Sequence, residues 1–332
     1  MKLAWQIVRF QLKETFAIAY GNYSFREALI ITLESHGCKG YGECTAIDYY
    51  HIDLASFTNQ LAQYQGLLES QSLVHPTEFY RFLESLQLPS FLRSALDCGY
   101  WDLFGKLEQQ SFLALNSITY EKLPESSITI SVDEVAQQIK KIEHSAWNHF
   151  KVKCNHLNPD GISQLLALHK PVALDSNGSF TPDDCRWLET SVGIDNFTYL
   201  EQPMKPGTEQ YSVLNAQGKA NWMADEDCQD AAKLKDLVPH YKSINIKLVK
   251  CGGLTPALHM ITEARALGFQ IMIGCMTESS IGISAGAALA PLCDYADLDG
   301  ANLIANDIAK GSTIVNGIIQ LTEGSGLGIK IK

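Results

Sequence analysis

The chain opens on MKLAWQIVRFQLKETF, where apolar and polar positions alternate and charges recur throughout. That is the period of a half-buried strand and differs from the unbroken apolar stretch of a signal peptide. Strand-like runs cover Lys2 to Lys13 and Ala28 to Ser35. The Gly-rich turn Gly37-Cys38-Lys39-Gly40 and the short run Tyr41 to Cys44 follow. Three helical stretches come next, over Leu54 to Leu68, Pro76 to Leu86 and Ser90 to Gln109. In the last, Leu92, Ala95, Leu96, Gly99, Tyr100, Leu103 and Phe104 recur at a helical period. Strands first and helices after predict a segregated α+β domain over 1–122.

The rhythm then changes. Short apolar runs recur, each followed by a loop and a helix-like stretch: ITISV (128–132), FKVKC (150–154), PVALD (171–175), FTYLE (197–201), NWMAD (221–225), SINIK (243–247), QIMIG (270–274) and YADLD (295–299). From the second run on, their ends are Lys153, Asp175, Glu201, Asp225, Lys247, Gly274 and Asp299, at steps of 22, 26, 24, 22, 27 and 25 residues. One βα unit with short loops has that length. Eight such units close into a parallel (β/α)8 barrel, expected over 123–310. Residues 311–332 read as extended segments with Gly turns that pack back on the first domain.

Composition narrows the function classes. With 26 basic and 37 acidic residues the formal net charge is −11, and no basic stripe offers itself to duplex nucleic acid. No apolar run approaches the ~20 residues that span a bilayer. Nine cysteines without CxxC spacing fit reduced thiols in a cytoplasmic protein better than a disulfide frame or a zinc site. A homo-oligomer is left open, because the sequence carries no interface signal.

Six of the seven strand ends are charged, although parallel strands tolerate charge poorly. Active sites of barrels are built at the carboxyl ends of the strands. A lone Asp after a strand is commonly a cap or turn residue, and Asp175-Ser-Asn-Gly also suits an Asx-type turn. Three carboxylates in consecutive units, flanked by lysine-ending strands, point further. Asp175, Glu201 and Asp225 are three hard oxygen ligands, which select Mg²⁺, with Mn²⁺ as a substitute. Lys153 and Lys247 flank them on opposite sides. Lys151 shares a strand face with Lys153. Neighbouring ammonium groups and a dication are expected to depress lysine pKa and so make a proton acceptor near neutral pH. Such a site suits a 1,1-proton transfer on a carboxylate-bearing substrate: one lysine removes the α-proton and the other returns one to the opposite face.

At these residues the chain resembles the enolase superfamily, in particular its muconate-lactonising subgroup and the dipeptide epimerases within it. The matching motifs are Lys151-Val-Lys153, LDSNGS with Asp175, LEQPM with Glu201, MADED with Asp225, and NIKLVKCGGLTPAL with Lys247. GYGEC (40–44) and RSALDCGYWDL (93–103) match as well. The resemblance implies an N-terminal α+β capping domain over a modified (β/α)7β barrel, with an irregular eighth strand. It implies Lys153 and Lys247 as acid/base pair, Asp175, Glu201 and Asp225 as metal ligands, and Lys151 on the substrate carboxylate. Asp297-Leu-Asp299 is expected to hold the ammonium of a small dipeptide. Thr129, Cys275, Met276 and Thr277 resemble positions that line the dipeptide. Ala-Glu epimerases place an arginine in the loop after the first strand, where this chain has Tyr20 or Gly21. An apolar or small second residue is therefore expected, with Tyr20 near it and Arg26 structural. Lys250, beyond the strand end, is a poor rival to Lys247. Ala-Glu epimerisation, N-acylamino acid racemisation and o-succinylbenzoate synthesis are the alternatives.

Overall fold

The structure, a computed structural model, describes residues 1–18, 21–207 and 211–332. The call on Tyr20 lies outside the described residues. Strands β1 (Lys2–Ile18), β2 (Gly21–Ser35) and β3 (Cys38–Thr45) form an antiparallel sheet in the order β1-β2-β3. The first two outrun the expected Lys2–Lys13 and Ala28–Ser35, because the cross-strand ladder continues to Ile18↔Gly21 where the local pattern weakens. Its register shifts between Gln11 and Phe16. There β1 leaves its neighbour to meet the end of the barrel: the Gln11 N–H donates to Asn306 Oδ1 (2.7 Å) and Lys13 Nζ to the Asn302 carbonyl (2.8 Å).

The expected turn at Gly37–Gly40 is shorter than its glycines suggest. Ser35 pairs with Cys38, and only His36 (φ 47°) and Gly37 (φ 78°) make the bend. Two successive positive φ values match the twist of a hairpin. Gly40 lies inside β3 for a different reason. Helices α1 (Leu54–Glu69), α2 (Pro76–Ser85) and α3 (Ser90–Leu107) cover the sheet. A Cβ on Gly40 or Gly42 would run into the α3 backbone at Gly99 and Ala95. The GYGEC and RSALDCGYWDL motifs are thus two sides of one close strand–helix contact, with Leu29, Ile31, Leu33, Leu92, Ala95 and Leu96 as its core.

The eight expected runs are eight parallel strands, β4 (Ile128–Ile130), β5 (Phe150–Lys153), β6 (Val172–Asp175), β7 (Leu200–Glu201), β8 (Trp222–Ala224), β9 (Ser243–Lys247), β10 (Gln270–Gly274) and β11 (Tyr295–Asp297), hydrogen-bonded in chain order. The ring is nearly closed by a bridge of Ser126 to Ala296, with the Ser127 N–H on the Ala296 carbonyl at 3.0 Å. β11 is three residues long and is followed by a four-residue helix, Gly300–Leu303. The last unit therefore lacks a full crossing helix, as the (β/α)7β expectation has it.

Ala173, Tyr199, Met223 and Met272 form a separate apolar cluster. They stand two residues before Asp175, Glu201, Asp225 and Gly274. With a side-chain period of two, the strand-end charges face the same interior, one layer higher. Segments 309–310 and 330–331 pair, and so do 313–315 and 318–320. The tail meets α3 where the Leu327 N–H donates to Asp102 (2.9 Å) and Lys106 Nζ to the Ile329 carbonyl (2.9 Å). All nine cysteines are free thiols. Among the described residues no helix is long and apolar enough to cross a membrane.

Candidate active site

The carboxyl ends of the barrel strands and the N-terminal sheet enclose a pocket of about 90 Å³. Its barrel side is lined by Thr129, Lys151, Lys153, Asp225, Lys247, Asp297 and Asp299, with Cys275, Met276 and Thr277 from the loop after β10. Phe16, Ile18, Arg26, Ile47, Tyr49 and Tyr50 close it from the other domain. Asp175 and Glu201 lie just beneath, at 0 % and 1 % exposure. All the strand-end charges expected at the mouth are brought together there.

Register accounts for the arrangement. Lys153 is level with Asp175, and Asp175 with Glu201. β5 and β9 are four places apart in a ring of eight strands, so Lys153 and Lys247 stand across the mouth from one another.

Charges so buried must be paired. Lys153 Nζ lies 2.5 Å from Asp175 Oδ2 and 3.1 Å from Asn177 Oδ1. The other oxygen of Asp175 accepts the Asn177 N–H at 2.9 Å, so the Asx-type turn and the site contact coexist. Lys151 forms an ion pair with Asp297 and lies 3.4 Å from Glu201 and 3.7 Å from Asp175. Asp225 is held from two sides, by Lys247 at 2.7 Å and Lys250 at 2.6 Å.

These pairs act on the charge states of the site. Burial works to lower the pKa of Lys247, but the Asp225 and Glu201 carboxylates outweigh it and hold it well above the ordinary lysine value. Lys151 is likewise raised, burial being outweighed by Asp297, Glu201 and Asp175. That direction is set by the carboxylates within ion-pair range of these two lysines. Asp225 is driven below the usual carboxylate range, its burial overcome by Lys247 and Lys250. Burial and the Asp175 carboxylate push Glu201 up to about 8.

Among the described residues no three His, Cys, Asp or Glu side chains are gathered closely enough to hold an ion as they stand. Lysine ammonium groups occupy the space between the carboxylates. The donor set nevertheless suits a hard cation. All three side chains offer oxygen only, and the buried Oε2 of Glu201 accepts no hydrogen bond. Its Oε1 is oriented by Asn245 Nδ2 at 2.7 Å.

The Asp297–Asp299 pair divides its work. Asp297 takes the Lys151 ammonium and the Ser127 hydroxyl, the latter at 2.7 Å. Asp299 lies beyond the end of β11 and accepts the Thr129 N–H at 2.7 Å. Burial and the Asp297 carboxylate raise it to about 6.

Several residues at or around the site are not among those expected to act there. Lys250, set aside above, donates to Asp225 Oδ1 and to the Asn245 carbonyl (3.1 Å), and it lies outside the pocket lining. Gln202 of the EQP motif accepts the Asp225 and Asp227 N–H groups at 3.0 and 3.1 Å, which ties two neighbouring loops. Glu43 of GYGEC caps the barrel helix Ser280–Ala287, accepting the Ser279 and Gly282 N–H groups at 2.9 and 3.1 Å. Arg26 is 5 % exposed, its guanidinium stacked 3.5 Å from the Tyr23 ring, and Nε has no hydrogen-bond acceptor. A signal for Gln202 and Lys250 lay in their motifs; for Arg26 there was only its nearness to the first hairpin.

The model of the family described as Enolase C-terminal domain-like matches residues 134–332. The chain is 33% identical to an L-Ala-D/L-amino acid epimerase of Flavobacterium johnsoniae, covering 100% of both chains. It is 34% identical to the L-Ala-D/L-Glu epimerase of Escherichia coli, over 93% of this chain and 96% of that one. A crystal structure of the dipeptide epimerase from Enterococcus faecalis V583, complexed with Mg and L-Leu-L-Tyr, superposes with a TM-score of 0.87. The identity there is 25%, over 99% of this chain and 98% of that one.

Proposed function

The chain belongs to the Enolase C-terminal domain-like family, and on that premise we propose that it is a Mg²⁺-dependent dipeptide epimerase. It inverts the α-carbon of the C-terminal residue by a 1,1-proton transfer. The observation that carries this reading is the pair of buried lysines, Lys153 and Lys247, across one pocket with three carboxylates between them.

Asp175, Glu201 and Asp225 would hold the ion. When bound, it supplies positive charge against the substrate carboxylate and takes over carboxylate charge from the lysines. The Lys151 ammonium meets the substrate carboxylate from the same side and stabilises the enediolate. In one direction the neutral amine of Lys153 accepts the α-proton while the Lys247 ammonium donates one to the opposite face. The reverse direction exchanges the roles. Asp297 and Asp299 receive the substrate ammonium, with Thr129 fixing Asp299. The Cys275-Met276-Thr277 loop lies against the bound dipeptide. Gln202, Asn245 and Lys250 position carboxylates.

Phe16, Ile18, Ile47 and Met276 favour an apolar or small second residue. A second reading, Ala-Glu epimerisation, is favoured by one observation: the Arg26 guanidinium lines the pocket with no carboxylate within salt-bridge range among the described residues. Dipeptides with Mg²⁺ in D₂O, followed by mass spectrometry, test both. The expected outcome is deuterium at the C-terminal α-carbon and inversion, both abolished by EDTA. Loss of Ala-Glu turnover in Arg26→Ala, with Ala-Ala spared, would replace the first reading by the second. Retained turnover of an N-acetylated dipeptide would remove the role of Asp297 and Asp299.

A further inference from the structure

Glu43 stands near the end of β3 with its carboxylate buried against the barrel, at 5 % exposure. It accepts the Ser279 N–H at 2.9 Å, the Ser279 hydroxyl at 2.5 Å and the Gly282 N–H at 3.1 Å. These donors lie 236 and 239 residues away in the chain. The helix Ser280–Ala287 has local caps of its own. Ser279 Oγ accepts the Ile281 N–H at 3.2 Å, and Asp307 Oδ2 accepts the Ser280 N–H at 3.1 Å. A buried carboxylate is moreover a weak source of stability, because its desolvation offsets most of what its hydrogen bonds return. Such a contact is better suited to fixing how two elements meet.

The tie lies between two walls of the catalytic pocket, and Glu43 itself is outside the lining. Four residues on from Glu43 the chain reaches Ile47, which with Tyr49 and Tyr50 lines one side. Two residues before Ser279 it passes Thr277, which with Cys275 and Met276 lines the other. The second wall has little slack. Glu278 Oε1 accepts the Met276 N–H at 3.2 Å, and a Cβ on Gly300 would meet the Met276 carbonyl at 2.4 Å. Met276 also packs on the apolar core of the N-terminal domain. A shift at Ser279 is therefore passed on to the loop instead of being absorbed there.

We propose that Glu43 is a positioning residue for substrate binding: it registers the turn at 47–50 against the loop at 275–277 and so sets the width of the pocket between them. The inference rests on the dipeptide reading above for its substrate. It adds to that reading a residue of the N-terminal domain that acts without touching the dipeptide.

Glu43→Gln keeps the shape of the side chain and places an amide donor against N–H donors. The test is α-proton exchange in D₂O with Mg²⁺ on L-Ala-L-Ala and L-Ala-L-Leu. KM is expected to rise about tenfold, the worth of a lost methylene contact, with kcat within about threefold. Met276→Ala is expected to raise KM on its own. The two substitutions together should raise it by well under the product of the single effects, because one acts through the other. Amide hydrogen exchange supplies a readout that needs no substrate. Residues 46–50 and 275–278 should exchange about tenfold faster in Glu43→Gln, with the other barrel loops unchanged. If that variant fails to fold, Ser279→Ala removes one of the three donors and should move KM and amide exchange the same way by a smaller factor. A lower melting temperature with KM unchanged shows a merely structural tie and overturns the proposal, as does a multiplicative effect with Met276→Ala. If the wild type turns over no dipeptide, the dipeptide reading falls. The tie between the two walls then stands or falls by the amide exchange of residues 46–50 and 275–278.

Discussion

The barrel side of the pocket and the side closed by the N-terminal sheet are made differently. The barrel side presents Lys151, Lys153, Asp225, Lys247, Asp297 and Asp299, each buried and each held by a charged or backbone partner. The opposite side presents Phe16, Ile18, Ile47 and Tyr50, with Arg26 as its charged member among the described residues. Proton transfer needs charges at defined places, and strand ends locked by register supply them. Choice among substrates needs a surface of adjustable shape, and a sheet edge and a short turn supply that. The proposed chemistry thus rests on the barrel, and the sheet side adds apolar surface against the substrate that can be changed while the lysines are kept.

The largest break should come on the barrel side. Lys153→Ala and Lys247→Ala are each expected to lower epimerisation by ~10²–10⁴-fold. Each should also suppress exchange mainly from one epimer of the substrate, which stereospecific exchange in D₂O reads directly. Equal suppression from both epimers would contradict a base on each face. Glu201→Gln should weaken Mg²⁺ binding by roughly 10–100-fold, measured as the concentration that restores exchange after EDTA.

On the other side the effects should be smaller and of a different kind. Ile47→Ala is expected to change the ranking of second residues by severalfold in kcat/KM while leaving both exchange stereochemistries intact. A drop in exchange as large as that of the lysine variants would erase the division drawn here.

The joint between the two regions offers an effect on stability with none expected on the site's chemistry. Asp97 of α3 accepts from the Thr255 N–H at 2.9 Å and its hydroxyl at 2.7 Å, at the start of the barrel helix Leu254–Ala266. Burial raises its pKa to about 7. A raised folded-state pKa means that its contribution is full below the unfolded value near 4 and is lost as pH rises through about 7. Urea unfolding of the wild type should therefore show stability falling between pH 4 and 7 relative to Asp97→Asn. Parallel pH profiles would show that Asp97 does not carry this term.

Much of this molecule was legible in the order of its residues. All eight barrel strands stand at the expected apolar runs, and six of those runs end in charge, because a parallel strand buried on both faces leaves an unbroken apolar signature and its carboxyl end has no packing reason to be charged. Gly40 of GYGEC misled as to the turn, since a glycine needed for close approach to a helix looks the same in sequence as one needed for a bend.

The residues themselves determined the βα period, the inward face of each strand through its two-residue repeat, and the oxygen-only set Asp175, Glu201 and Asp225. Only the closed ring decided that Lys247 shares Asp225 with Lys250, that Lys151 reaches Asp297 across the seam, and that Arg26 comes to stand over the mouth. Those are contacts between groups tens to hundreds of residues apart. Local patterning fixes which way a side chain points, but which opposite charge it meets, and so the direction of its pKa shift, depends on what the rest of the chain brings within a few ångströms.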